Sequence, residues 1–408
     1  MTSRELAPRA RACAGWLVAL TGFSLCISTA FDGVLVALTL LAWLIALQAG
    51  VRESLSAWVQ VRPALFALLL LGLLLFACTY SPVPWTTAWS AFSKYLDLLL
   101  IPVFLWAAPS LTVRRRALFL FLGGVLLNVL VSYGSALALW EWIPGLHTQP
   151  SYPVGFKLSV THSLLVSMGA YVLLLLAREV QKPALRAACL IFAALFVHNV
   201  LFVVPGRTGY LVLGALLAYF ILRAISGRRR VLLAFLALTA LFASAYAGSS
   251  GFMVRVQDIA SDLTQWRPGA DDDTSVGQRV GYYRNTLAII REHPLTGVGT
   301  GGFAHAYAER VRGTSAPATV NPHNDYLMLT AQAGLPALFL LVGLYVIVWR
   351  HASQLASMLE RDALRGIVLT TAIAGLFNSA LMDHVEGLLF AWAVGVLCAS
   401  RRAPALAG

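Results

Sequence analysis

Apolar runs long enough to cross a lipid bilayer recur from one end of this chain to the other, and they dictate what it can fold into. "PALFALLLLGLLLFACTY" from Pro63 and "LVLGALLAYFILRAIS" from Leu211 each approach the roughly 20 residues with which an α-helix crosses about 30 Å of hydrocarbon. A hydrophobic share of 59% against 12% charged residues places the chain outside the soluble class. Hydropathy and helix breakers predict spans beginning near Ala12, Gly33, Pro63, Tyr95, Ala117, Ser159, Ala184, Gly209, Val231, Asp325, Leu364 and Val385. The expected fold is an all-α integral membrane protein with about 12 transmembrane helices. The first apolar run follows Arg4, Arg9 and Arg11 in the manner of a signal peptide. It lacks a good small-x-small cleavage site, so it reads as an uncleaved first span.

The net charge of +12 could serve nucleic acid, anionic lipid or membrane orientation, and its distribution decides. With a cytoplasmic N-terminus, twenty of the 30 basic residues fall in inside segments, including Arg114 to Arg116 and Arg228 to Arg230. Only Lys94, Lys157 and Arg207 fall in short outside loops. The positive-inside rule therefore predicts both termini in the cytoplasm. Clusters scattered over many short turns do not form a nucleic-acid face. The five cysteines lie inside apolar runs without C-x-x-C or nearby histidine, so neither zinc nor a disulfide framework is indicated.

One large hydrophilic stretch, residues 251–322, separates spans 1 to 9 (residues 1–250) from spans 10 to 12 (residues 323–408). The orientation places it on the outer side of the membrane. Phe252, Val256, Ile259, Leu263 and Trp266 recur at helical spacing, which predicts an amphipathic helix along the bilayer surface. A second helix is expected after Asp273 to Ser275, with Tyr283, Leu287 and Ile290 on one face and its end before Pro294.

The unusual polar residues gather on the outer side: Lys94, Arg207, Arg279, His323, and the turn carrying Asp383, His384 and Glu386. Each alone could be an interfacial anchor. Arginine's planar fork suits phosphate, and Arg207 in "VVPGRTGYL" is either a phosphate ligand or a side chain snorkelling to the interface. Spacing alone does not distinguish Arg279 from Arg284 and Arg291. His323, after Pro322, is either a general base or a helix cap. Asp271 to Asp273 could bind a metal but read as a solvated turn. Gly297, Gly299, Gly301 and Gly302 mimic a dinucleotide loop without the strand that should precede it, so they read as a tight turn.

"GQRVGYYRNTLAIIREHPLTGVGTGGF" followed by "NPHNDYLMLTAQAGL" resembles the shared core of the O-antigen ligase and polymerase superfamily. The "PGRTGYL" turn is similar to a further arginine motif of that family. Tyr283 stands where the family often has tryptophan, and Gln332 where it often has glutamate. The resemblance implies a glycosyltransferase that moves a glycan from undecaprenyl pyrophosphate to a sugar hydroxyl of lipid A-core, inverting the anomeric centre at the periplasmic face, in lipopolysaccharide biosynthesis. It implies catalytic His323, Arg207 and Arg279, substrate contacts from Lys94, Tyr283, Asn324 and Asp383 as well, no metal and no cofactor. The partners it implies are the lipid-linked donor, the lipid A-core acceptor and membrane lipid; nothing specifies an oligomeric state. O-antigen polymerase and protein O-oligosaccharyltransferase are the alternative enzymes. The short outer segment 143–158 favours ligase over polymerase. An anion transporter is the non-enzyme alternative, although the spans offer it only His162 and Asn378 near mid-depth.

Overall fold

The computed structural model describes residues 3–48, 61–139, 152–204, 206–265, 275–314 and 316–399. Each of the twelve apolar segments is helical. In chain order the helices are α1 (Ser3–Ser24), α2 (Thr29–Gln48), α3 (Arg62–Cys78), α4 (Trp85–Ser93), α5 (Leu100–Ala107), α6 (Leu111–Ala136), α7 (Ser159–Glu179), α8 (Pro183–His198), α9 (Arg207–Ala224), α10 (Arg230–Gly248), α11 (Ser250–Gln265), α12 (Ser275–Glu292), α13 (Phe303–Val311), α14 (Asp325–Ala352), α15 (Met358–Ala374) and α16 (His384–Cys398). By length and composition seven of them can cross a bilayer. An eighth span results if α4 and the stretch Leu96–Ala107, bent by 57° to each other, count together. Two further apolar helices, Arg62–Cys78 and His384–Cys398, are shorter.

Large apolar side chains such as Phe119, Ile191, Phe235 and Phe339 point outward and are well exposed, as expected where the surrounding solvent is hydrocarbon. Lipid tails are as apolar as leucine, so close packing and interhelical hydrogen bonds must hold such helices together, the latter at about 0.6 kcal/mol each. The Trp392 indole N–H donates to the Val18 carbonyl at 2.8 Å, tying α16 to α1. Arg114 of α6 pairs with Glu360 of α15 at 2.6 Å, both buried. That contact marks one end of the bundle. The opposite end carries the turns that precede α2, α7, α9, α14 and α16.

At this second end α14 is broken. Pro336 has no N–H for the Gln332 carbonyl, and Ala333 and Gly334 leave the helical region, Gly334 with φ of 73°. The freed carbonyls are taken up by the segment after α12. Val298 N–H donates to Ala331 O at 2.8 Å, Gly299 N–H to Gln332 O at 2.9 Å, and Leu335 N–H to Pro294 O at 2.8 Å. Gly297, Gly299 and Gly301 all take left-handed φ in this turn, the tight-turn role expected of the glycine run. Gln332 adds a bond at each end of its amide, accepting from Gly301 N–H at 3.0 Å and donating to Tyr95 Oη at 3.1 Å. A glutamate at this position could not donate when ionised.

A Cβ at position 334 would lie 2.2 Å from the Leu295 carbonyl oxygen. The left-handed conformation alone costs an L-residue about 1–2 kcal/mol, and the clash adds to it. Gly334→Ala is therefore expected to lower the thermal midpoint in detergent measurably; an unchanged midpoint would show that the break can relax.

α12, α13 and the start of α14 form a small separate core, in which Ile289 packs with Phe303, Tyr307, Val311, Met328 and Ala331. α13 was not foreseen from sequence. α12 spans the expected residues, but its face is rotated. Thr286 and Ile289 are buried while Leu287 is 43% exposed, because Tyr282, Thr286 and Ile289 face this small core and Tyr283 turns toward the bundle. α11 forms as expected, and Phe252 packs on Tyr210 with ring centroids 4.6 Å apart. The side chains of Ile259, Leu263 and Trp266, and the run Asp271 to Asp273, lie outside the described residues.

Candidate active site

The turn between α15 and α16 is the hub of the second end. Asn324 caps α14 by accepting from Leu327 N–H, and its amide donates to Leu376 O at 3.0 Å. Asp325 N–H donates to Gly375 O at 2.8 Å, and its buried carboxyl accepts from Leu381 N–H at 3.2 Å. Ser379 Oγ donates to Asn321 Oδ1 at 2.7 Å, and Asn378 reaches Thr208 of α9 at 3.2 Å. Asn378 thus belongs to the end of the bundle and not to mid-depth, which corrects the sequence-based placement. His162 stands one turn inside α7, close to the same end, and bonds Asn199 at 2.8 Å.

Held on this hub, Arg207, Arg279 and Tyr283 line one cavity of about 220 Å³ together with Thr208, Leu211, Val280 and Phe377. Arg207 is the first residue of α9, so its charge adds to the positive end of the helix dipole. It lies 3.5 Å from Asp258 of α11, a long contact to a carboxylate that is 41% exposed. Among the described residues no carboxylate pairs with Arg279. Its guanidinium is pushed below the ordinary arginine range by burial and by the like charge of Arg207, with Tyr283 opposing. Two guanidinium groups therefore share a small space with incomplete compensation, the electrostatic condition for holding an anion.

Tyr283 Oη donates to Leu376 O at 2.7 Å and lies 3.3 Å from His323 O, which joins α12 to the segment before α14. His323 takes a left-handed φ of 55°, uncommon for a residue with a side chain. The conformation is fixed by its N–H donating to Asn321 Oδ1 at 2.8 Å and by the ring stacking on Tyr282 at 6.3 Å. Burial, and next the charge of Arg279, hold its pKa below the ordinary histidine value. The ring is thus neutral near pH 7 and able to accept a proton.

Lys94, Asp383, His323 and Asn324 are not among the residues that line this cavity, which His323 adjoins through Tyr283. Lys94 ends α4 and acts on Asp383, whose carboxyl is raised above its ordinary value by desolvation, with Lys94 pulling the other way. Sequence reasoning missed Thr208 and Phe377 as cavity residues, since neither type carries a signal at a helix start or in an apolar turn.

No curated protein matches the chain. Residues 190–342, a little over a third of the chain, match a family model described as O-antigen ligase. The matched stretch contains Arg207, Arg279, Tyr283, His323 and Asn324 and ends inside α14. The paired arginines, the neutral histidine and the family match fall on the same residues, so over residues 190–342 the chain is similar to the O-antigen ligase family.

Proposed function

We propose that the protein is a glycosyltransferase that moves a glycan from undecaprenyl pyrophosphate to a sugar hydroxyl of lipid A-core at the periplasmic face of the inner membrane. The observation that carries this reading is the convergence of Arg207 and Arg279 on one cavity beside His323. Arginine forks bind phosphate oxygens two at a time, and a pyrophosphate presents enough oxygens for both. The rest of the cavity suits a lipid-linked anion better than a free one. Leu211, Val280 and Phe377 supply an apolar wall, and Leu211 is 50% exposed on the outward face of α9, so a polyprenyl tail can remain in lipid while its head group enters.

In the reaction the acceptor oxygen attacks the anomeric carbon, the bond to the pyrophosphate oxygen breaks, and the electron pair leaves with undecaprenyl pyrophosphate. Arg207 and Arg279 stabilise the charge growing on that oxygen, a role in which fixed donors supply a large part of a rate enhancement. His323 accepts the acceptor's proton. Direct displacement inverts the anomeric centre. Because the arginines provide the electrostatic stabilisation, the reaction is proposed to need no metal.

The test is ligation by purified protein of undecaprenyl-pyrophosphate glycan to lipid A-core in excess chelator. Product from wild type, and none from His323→Ala, is the expected result. Product that lengthens on the polyprenyl carrier would mean polymerase. Activity that returns only with added divalent cation would move the leaving-group chemistry away from the arginines.

A further inference from the structure

A second group of ionisable side chains meets at the same end of the bundle, and the chemistry above does not use it. Asp32 comes from the first turn of α2, Asp97 from the 3₁₀ turn Leu96–Leu99 between α4 and α5, Lys157 from the segment before α7, and His384 and Glu386 from the first turn of α16. The group grades from surface to interior. His384 Nδ1 stands 3.3 Å from Asp97 Oδ2, with side-chain exposures of 42% and 16%. Lys157 and Glu386 are each 8% exposed, and Asp32 is fully buried. Glu386 Oε1 accepts from Thr161 Oγ1 at 2.5 Å. Asp32 accepts from Ser24, while its Oδ2 has no partner among the described residues.

Lys157 is the informative member. Its charge acts on Asp32 and Glu386, yet it forms no ion pair with either. The ammonium therefore lies near these carboxylates but beyond ion-pair distance of them. The backbone that carries Lys157 is fixed by a buried polar network. Ser132 Oγ donates to Pro153 O at 2.5 Å, Asn128 Oδ1 accepts from Phe156 N–H at 2.8 Å, and His162 Nδ1 accepts from Gly155 N–H at 3.4 Å. His162 Nε2 then meets Asn199, whose amide donates to Ser132 at 3.0 Å. Asn199 opens a π-turn, Asn199–Val203, a distortion frequent at functional sites. A lysine in an outer turn that served only as a surface charge would gain nothing from burial and would need no such clamp. A buried carboxylate oxygen without a partner, such as Asp32 Oδ2, is costly unless a ligand completes it.

The chemistry narrows the ligand. Three carboxylates against one lysine and one histidine do not favour a pyrophosphate. Among the described residues, no three histidine, cysteine or acidic side chains converge as a metal-ligating group. Donor and acceptors held near one another without pairing match groups that both donate and accept, which is what sugar hydroxyls do. We propose that Lys157, Glu386, Asp97 and His384, backed by Asp32, form a second binding site for the hydroxyl groups of a neutral sugar. The inference rests on the proposed reaction in taking its sugar from that reaction's substrates, either the acceptor core or the donor glycan.

Lys157→Met and Glu386→Gln test it in full-length protein in detergent. Binding of undecaprenyl pyrophosphate, of core oligosaccharide freed from lipid A and of carrier-free repeat-unit oligosaccharide would be measured beside the melting temperature. Losing a hydrogen bond to a charged group should weaken binding of one saccharide by about tenfold or more. The same substrate's KM should rise alike, with kcat and undecaprenyl pyrophosphate affinity unchanged, and the saccharide affected identifies the source. If these variants do not fold, Asp97→Asn and His384→Gln at the open end carry the same readouts. Folded variants that bind both saccharides like wild type overturn the inference, as does wild type that binds neither or an equal loss of undecaprenyl pyrophosphate. Wild type that binds a saccharide through these residues but never ligates it would sink the proposed reaction and leave the site standing.

Discussion

Arg279→Lys and Arg207→Lys are each expected to reduce ligation by about 10²–10³-fold, the usual loss when one fixed donor to a developing oxyanion is removed, while insertion and melting stay as in wild type. Lysine keeps the charge, so the general attraction of an anion to the cavity persists. What it loses is the planar fork, and with it the simultaneous hold on two oxygens of a leaving pyrophosphate. Arg279 should be the more sensitive, because its guanidinium is partly desolvated beside Arg207 and a more strongly hydrated ammonium would withdraw toward water. The discriminating measurement is kcat at saturating donor. Both lysine variants within about threefold of wild type would mean that charge without geometry suffices, and the pyrophosphate clamp would have to be abandoned.

His323→Ala is expected to lower kcat/KM by about 10²–10⁴-fold, the range for removal of a general base, and the wild-type pH profile should carry a signature of the ring. Burial and Arg279 both hold His323 below the ordinary histidine value. The base form is therefore retained as the solution is acidified past about 6.5, and activity should fall only as pH drops through the lowered value. In His323→Ala that acid limb should vanish along with most of the rate. A wild-type limb centred above the ordinary value would contradict the electrostatics described for the ring. The same shift acts on stability in a fixed direction. In acid the unfolded chain takes up a proton that the buried ring resists, so the stabilisation is present above the ordinary value and is lost as pH falls through the lowered one.

The apolar runs announced the helices because lipid leaves the backbone few alternatives, and residues as rare in a membrane protein as Arg207, Arg279 and His323 stood out against them. Their convergence was legible only through a motif, since nothing in spacing brings residue 207 to residue 279. The break in α14 was written as Gly334 and Pro336, yet a proline within a span is common enough that its partner, the turn at 297–299, could not be inferred. Lys157 and Asp32 were harder still. Lys157 carries no more signal in the sequence than a positive charge in a short outside loop, Asp32 sits in no motif, and only the network around Asn128, Ser132, His162 and Asn199 shows that the segment carrying the lysine is held in place. The face of α12 was misjudged because two cores, one in the bundle and one outside it, compete for the same helix.

The break in α14 bears on how such proteins can be recombined. The turn after α12 completes the backbone hydrogen bonds of α14, so the segment between α11 and α14 is no cassette that ends where α14 begins. A chimera joined at residue 322 would pair a foreign turn with carbonyls shaped for this one. The smallest transplantable unit runs from the start of α12 through Pro336, and it takes Arg279, Tyr283 and His323 with it, while Arg207 stays behind in the host. Exchange of specificity between relatives should therefore succeed or fail on how well a resident arginine meets an imported one.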